Sequence, residues 1–280
     1  MIEQLRATHV AAAQIRRLSD AAKTKLLLQL AQAVEAACDA ILAANQLDLA
    51  KIDDADPKID RLLLNPERIA ALAGSIREVA ALRDPCGAVL LDKILPNGLK
   101  LRKISVPLGV VGIIYESRPN VTLDVSALCL RSGNAAVLRG GSDALQTNRA
   151  LAAIIQDVLE QAGLSRDVVA LLPPDRELVK DMLTATRYID VIIPRGSDAL
   201  IRFVRENSLV PVIETGAGVC HTYVHESADL EKAKAIVVNA KVSRPSVCNS
   251  LDTIVIDSKI APAFLPLLRD DFEKWKVEVF

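Results

Sequence analysis

The sequence predicts an α/β protein built on a parallel sheet. Three observations lead there. Apolar runs of strand length alternate with helical stretches from residue 108 to residue 215. Glycine and serine stand at the joints between them, in Arg139-Gly140-Gly141-Ser142 and Arg195-Gly196-Ser197. Aromatic residues are only 3% of the chain against 51% hydrophobic overall, so Ala, Leu, Ile and Val must form the core, which suits helices laid on a sheet. Strand–helix alternation implies βαβ crossovers, with ligands at the carboxyl ends of the strands.

The elements follow in order. The first ninety residues read as helical. Ser19 can cap a helix whose apolar positions Leu26, Leu30, Val34, Ala37 and Ile41 recur at helical spacing. The stretch NPERIAALAGSIREVAAL carries Pro66 at its start, where a missing N–H is harmless. In 89–107 two short runs flank Pro96-Asn97-Gly98, and Asn-Gly supplies the positive φ angles of a tight hairpin turn. An isolated hairpin is marginal in water, so this arm needs something to pack on, such as a second subunit.

A buried strand follows at 108–116, and a helix at 120–133 closed by Gly133. The strand 135–140 leads to a helix at 142–163, with Ser142 as cap and Gly163 as stop. Strands at 168–173, 191–194 and 210–215 alternate with a short helix and a helix from Ser197. The pattern restarts after Gly218 with HTYVHE, the helix DLEKAKAIVVNAK, the loop SRPSVCNS, TIVID, a further helix and an apparent strand KVEVF. This gives two domains, 1–218 and 219–280, the second too short to complete a sheet.

A net charge of −1 argues against nucleic acid or an anionic membrane as a partner. Charged residues interrupt every apolar run before membrane-spanning length, and MIEQLRATHV has no signal-peptide pattern. Five cysteines, none in a CxxC pair, fit a reducing cytoplasm and give no sign of a disulfide framework or a metal site.

Several groups are of the types that carry chemistry. The spaced-glycine dinucleotide fingerprint GxGxxG is absent. The two Arg–Gly–Ser turns can each hold a phosphate through glycine, free helix N–H groups and arginine, or each can be an ordinary turn with a capping serine. Glu116, Arg118 and Asn120 follow an apolar strand directly. Asn120 can donate to an oxyanion or cap the next helix. Cys38 and Cys129 read as core, and Cys220 beside His221 lies on a strand whose neighbours face opposite ways. Cys248 sits in a polar loop after Pro245, near Arg244, where it can be a nucleophile or an inert loop thiol. Glu214 can be a general base or a surface carboxylate.

The run VPLGVVGIIYESRPNVTLDVSALCLRSGNAAVLRGGSDALQTNRAL is similar to the core signature of the gamma-glutamyl phosphate reductases, which belong to the aldehyde dehydrogenase superfamily. IIPRGSDALIRFV, VPVIETGAGVCHTYVHESADLEKA and NAKVSRPSVCNSLDTIVI match further motifs of that family in the same order. The resemblance implies an aldehyde dehydrogenase-like fold: a Rossmann-like cofactor domain, an incomplete α/β catalytic domain and the hairpin as oligomerisation arm of a homo-oligomer. It implies NADPH-dependent reduction of L-glutamyl 5-phosphate, with Cys248 as the thioester-forming nucleophile and Asn120 as oxyanion donor. Arg118 and Arg244 are then candidates for the anionic substrate, and Arg139, Gly141, Ser142, Gly196 and Ser197 for the cofactor. A reductase must keep water from its thioester, which lowers the expectation of a catalytic role for Glu214. The place in proline biosynthesis leaves room for a functional coupling with glutamate 5-kinase. Members of the family continue past residue 280, so the chain by itself is expected to be inactive or poorly stable, with a non-catalytic nucleotide-binding or subunit-associating chain as the alternative.

Overall fold

The computed structural model describes residues 1–53, 59–116, 118–214, 218–245, 247 and 249–280, with the Arg176 side chain left aside. It divides into two compact units, Met1–Glu214 and Thr215–Phe280.

The first unit opens with helices α1 (Ile2–Arg16), α2 (Asp20–Ala36), α3 (Cys38–Leu49), α4 (Ile59–Leu62) and α5 (Pro66–Ala81). Ser19 caps α2 through the Ala22 N–H, and Asn65 caps α5 through the Arg68 N–H at 2.7 Å. The helix expected to run through Ile41 breaks instead: α2 and α3 meet at Ala37 with a 66° bend. The bend reconciles two demands. It keeps Leu30, Val34 and Ile41 in one core, and it carries the polar residues Asn45 and Asp48 to buried partners.

A four-stranded parallel sheet follows, made of β3 (Val110–Tyr115), β4 (Ala135–Arg139), β5 (Val169–Leu171) and β6 (Val191–Arg195); β1 and β2 belong to the hairpin described below. Its order is β5-β4-β3-β6. Every residue of β3 is buried, as a strand covered on both faces requires. The helices between strands are α6 (Asn120–Arg131), α7 (Leu145–Gln161), α8 (Arg176–Thr184) and α9 (Asp198–Asn207). Gly133 and Gly163 take positive φ angles just past α6 and α7, as expected of helix stops. The stretch 210–215 does not become a strand. Val212 makes only an isolated bridge to Ile192, because Pro211 has no N–H to extend the ladder.

Ser142 does not cap α7. It opens a single 3₁₀ turn, Ser142–Ala144, and its hydroxyl bonds Asp143. The cap comes from Asp48, which is 1% exposed. Its carboxylate accepts the Gln146 N–H at 3.1 Å, the Thr147 N–H at 2.8 Å and the Thr147 hydroxyl at 2.8 Å. Asn45 beside it donates to Thr147 Oγ1 and to the Leu62 carbonyl and accepts the Leu64 N–H. A second buried charge, Lys23, pairs with Asp84 at 2.8 Å. Burial alone would raise the Asp84 carboxyl, but Lys23 and the Cys86 N–H outweigh it and hold it below the usual range.

The hairpin pairs β1 (Val89–Ile94) with β2 (Lys100–Ile104) antiparallel, and all their residues are exposed. Only Gly98 of the turn takes a positive φ; Asn97 instead accepts the Leu99 N–H on its side chain. A turn closed from Gly98 N–H to the Leu95 carbonyl therefore replaces the two-residue turn expected from Asn-Gly.

The second unit contains a βαβ element: β7 (Cys220–Val224), α10 (Leu230–Val242) and β8 (Leu251–Ile256), with the two strands parallel, then α11 (Ala261–Lys274). Val237, Phe264, Leu268 and Phe272 form its core. Residues 276–280 form no strand; Val277 folds back to the Phe272 carbonyl.

Asp48→Ala removes a buried acceptor from three donors and is expected to lower stability by roughly 2–4 kcal/mol, with Asp48→Asn falling between it and the wild type. Urea denaturation followed by circular dichroism checks this, and a change within error of zero for Asp48→Ala would remove Asp48 as the α7 cap.

Candidate active site

From β3 the chain moves outward to β4 and β5, then returns to place β6 on the other side of β3. Connections therefore leave β3 and β6 in opposite directions. Such a switch point opens a crevice at the carboxyl ends of the two strands. Tyr115 is in register with Arg195, so the residues just beyond the strands, Glu116 and Gly196, face each other. The Glu116 N–H continues the ladder to the Arg195 carbonyl at 3.2 Å.

Ser197 caps α9 through the Leu200 N–H. Its own N–H and hydroxyl both go to Glu116: the N–H donates to Oε2 at 2.8 Å and the hydroxyl to Oε1 at 3.0 Å. A carboxylate thus sits at the α9 N-terminus, where the helix dipole and free N–H groups favour an anion. Gly196 makes room for it, since a Cβ there would lie 2.6 Å from Glu116 Oε2.

Asn120 is the first residue of α6 and does not cap it; Pro119 holds the cap position, with no side-chain cap bond. The Asn120 amide donates to Asp124 Oδ2, one turn on, at 3.1 Å. An ionised carboxylate only accepts, so the amide nitrogen faces Asp124 and has a second N–H to give. Burial raises the Asp124 carboxyl above its ordinary value, against the opposing pull of Asn120, Ser75 and the Arg195 charge. Arg118 is half-buried, and its guanidinium makes no hydrogen bond or ion pair among the described residues.

The turn after β4 differs. Arg139 donates to the Pro174 carbonyl. Gly140 is packed on Asn148 and Tyr115, where a Cβ would fall 2.4 Å from Asn148 Nδ2. Beneath it the Thr122 hydroxyl donates its one proton to Asn148 Oδ1 at 2.8 Å and so accepts from the Tyr115 hydroxyl at 2.6 Å. Burial pushes the Tyr115 phenol up to about 12, so it stays a neutral link. Gly141 is extended and Ser142 is exposed. The Leu145 N–H goes to the Ser142 carbonyl and the Gln146 and Thr147 N–H groups are held by Asp48, so an anion at this turn would meet Gly141 and Ser142 rather than the helix start.

The structure brings Asn120, Gly196 and Ser197 to the end of the β3–β6 pair, and Arg139, Gly141 and Ser142 to the end of the neighbouring β4. In the second unit Arg244 is exposed just past α10, while Cys248 lies outside the described residues. Cys220 and His221 alternate in burial along β7, and His221 Nδ1 bonds the Val219 carbonyl, so they form no nucleophile–base pair. Glu214 pairs with Arg205 at 3.3 Å. Among the described residues no group of three or more potential ligands is placed to hold a metal ion, and no single helix is long and apolar enough to cross a membrane. Sequence reasoning assigned no part to Asp124 or Asp48. The i,i+4 spacing to Asn120 was a usable signal for the first. Nothing local marks the second, whose partners lie 98 and 99 residues away.

The family model for the aldehyde dehydrogenase family matches residues 2–279. Gamma-glutamyl phosphate reductase from Pelodictyon phaeoclathratiforme is 52% identical over 278 residues, covering 99% of this chain and 66% of that protein. The crystal structure of gamma-glutamyl phosphate reductase from Thermotoga maritima superposes with a TM-score of 0.89 at 38% identity, over 99% of this chain and 68% of that one. A glyceraldehyde-3-phosphate dehydrogenase from Methanocaldococcus jannaschii, complexed with NADP, shares the fold at TM-score 0.71 and 21% identity, over 98% of this chain and 58% of that one. The chain spans about two thirds of the length of the curated relatives it matches.

The raised Asp124 carboxyl has a thermodynamic sign. The folded state holds its proton more tightly than the unfolded state, so this group's contribution to stability falls as pH rises from the ordinary carboxylate range through the raised value. Asp124→Asn is therefore expected to gain on the wild type between about pH 4 and about pH 7, read as urea midpoints at the two values. A gap that is flat or narrows with rising pH would contradict the assignment.

Proposed function

Because the chain belongs to the aldehyde dehydrogenase family, and within it to the gamma-glutamyl phosphate reductases, we propose that it carries the cofactor lobe and the nucleophile segment of an enzyme of proline biosynthesis. The reaction is NADPH-dependent reduction of L-glutamyl 5-phosphate to L-glutamate 5-semialdehyde and phosphate. One observation carries the reading: Asn120 heads α6 beyond the end of β3, beside the switch-point crevice and free of any capping duty.

In this reading the Cys248 thiolate attacks the acyl phosphate carbon. Asn120, oriented by Asp124, donates to the tetrahedral oxyanion. The carbonyl re-forms as phosphate leaves, and a thioester to Cys248 remains. Arg118 and Arg244 hold the anionic ends of the substrate, a task suited to planar guanidinium groups. NADPH, when bound, supplies the hydride that reduces the thioester. Collapse of the resulting thiohemiacetal releases the semialdehyde and restores the thiol.

The residues present fit a phosphate-bearing cofactor. Glu116 is an anion supplied by the protein itself, seated on Ser197 with Gly196 leaving it room. Gly196 and Ser197 would hold the cofactor's phosphates there, and Arg139, Gly141 and Ser142 a more distant part of it. The Glu214 carboxylate, engaged by Arg205, is left without a step. The hairpin gives the proposed homo-oligomer its contact: Leu90, Ile94 and Leu99 are each at least 60% exposed. Coupling to glutamate 5-kinase would shorten the acyl phosphate's exposure to water.

The test runs in reverse on the full-length gene product, as phosphate-dependent NADP reduction with the semialdehyde. Cys248→Ala is expected to abolish it and Asn120→Ala to lower kcat by roughly 10²–10³. Equal rates in Cys248→Ala and wild type would remove Cys248 as nucleophile. Ile94→Lys on the hairpin is expected to shift the sedimentation coefficient toward the monomer; an unchanged value would place the subunit contact elsewhere.

A further inference from the structure

Glu116 has no part in the chemistry proposed above, yet its carboxylate holds donors at the centre of the crevice. Both oxygens bind one residue, Ser197, through its N–H and its hydroxyl. This is how a helix start receives a phosphate. We propose that Glu116 is an internal occupant of the cofactor's phosphate seat, bound when the site is empty and displaced when a pyrophosphate-bearing nucleotide enters. The inference rests on the reading of Gly196 and Ser197 as cofactor ligands.

Three features separate this contact from a permanent cap. The first is burial. Asp48 makes the same kind of contact at α7, but it is 1% exposed and bonds the Thr147 hydroxyl as well as two N–H groups, with Asn45 packed beside it. Glu116 is exposed, so it can leave without opening the core. The second is charge. Glu116 makes no ion pair among the described residues, so helix-start donors alone hold it, and a second anion raises its energy directly. The third is redundancy. Ser197 already caps α9 with its own oxygen through the Leu200 N–H, so the helix keeps a cap after Glu116 departs.

Gly196 fits the same scheme. Any side chain there would strike the Glu116 carboxylate, and the space it leaves open is the space an incoming phosphate needs. Glu116 and the nucleotide therefore compete for one set of donors, and cofactor affinity is set as a difference between two anions.

The experiment measures binding rather than turnover. Isothermal titration of NADPH, and separately of inorganic pyrophosphate, is run on wild type, Glu116→Gln and Glu116→Ala at low salt. Both variants are expected to bind both probes roughly tenfold more tightly, since a like charge has left the seat. The Ser197 amide resonance is expected to move upfield in the ligand-free variants, reporting loss of its carboxylate partner, and the dispersion of the same spectra reports that they are folded. Unchanged affinities would reduce Glu116 to a second cap, and weaker binding would make it a cofactor ligand; either overturns the competition. Binding of NADPH by none of the three proteins would remove the cofactor reading itself and this inference with it.

Discussion

The first N–H groups of α7 point at a carboxylate contributed 98 residues earlier in the chain. Burying a carboxylate is costly unless each lone pair is met, and Asp48 is met by two backbone N–H groups and a hydroxyl. Much of the first unit is arranged around that requirement. The bend between α2 and α3 brings Asp48 down to the helix start, and α3 packs along α7. Asn45, one turn earlier, ties the same point to the chain entering α5. Lys23 with Asp84, and Arg131 with Asp20 and the Leu82 carbonyl, fasten α2 to the chain leaving α5 and to α6. The helical third is thus located on the sheet by directional polar bonds as well as by apolar contact.

Those bonds matter for the site because they fix the frame from which it projects. β3 is buried throughout and paired on both sides, so its carboxyl end is a fixed reference. From there the chain turns directly into α6 with Asn120 at its head, while β6 turns into α9 with Ser197 at its head. Two rigid helices therefore begin beside one crevice, and only short turns separate them from the strands. The starts of α7 and α9 have opposite roles. The α7 start is closed by a buried anion, whereas the α9 start is occupied by an exposed one.

Most of this architecture can be read from the sequence where the cause is local. Strand periodicity located β3, β4 and β6, and Gly133 and Gly163 marked helix ends because a positive φ angle is needed there. What the sequence conceals is set by distant partners. Ser142 has the residue type of a cap, but Asp48 displaces it from that role, and no local pattern links residue 48 to residue 147. Pro211 turns an apparent strand into a single bridge, because pairing depends on donors that apolar pattern does not report. At the candidate site, the capping role of Ser197 was legible from residue type, whereas residue type alone pointed Asn120 toward a cap that Pro119 holds instead. The bond between Glu116 and Ser197 was not legible, since it depends on strand register across β3 and β6. Cys248, legible from its motif, lies outside the described residues.

The hairpin raises a different matter, that of register. A strand with one buried face is held against slippage, because moving by one residue would turn its apolar side outward. Both strands of this hairpin are exposed on both faces, so that safeguard is missing. Alignment must instead come from its ends and its charges. Gly98, with its positive φ, fixes the turn; Asp92 and Arg102, directly opposite each other, form an ion pair at 2.8 Å; and a bulge between Val89 and Leu91 locks the base. The arm thus carries its own alignment, and a partner surface would meet a template whose order of side chains is already set.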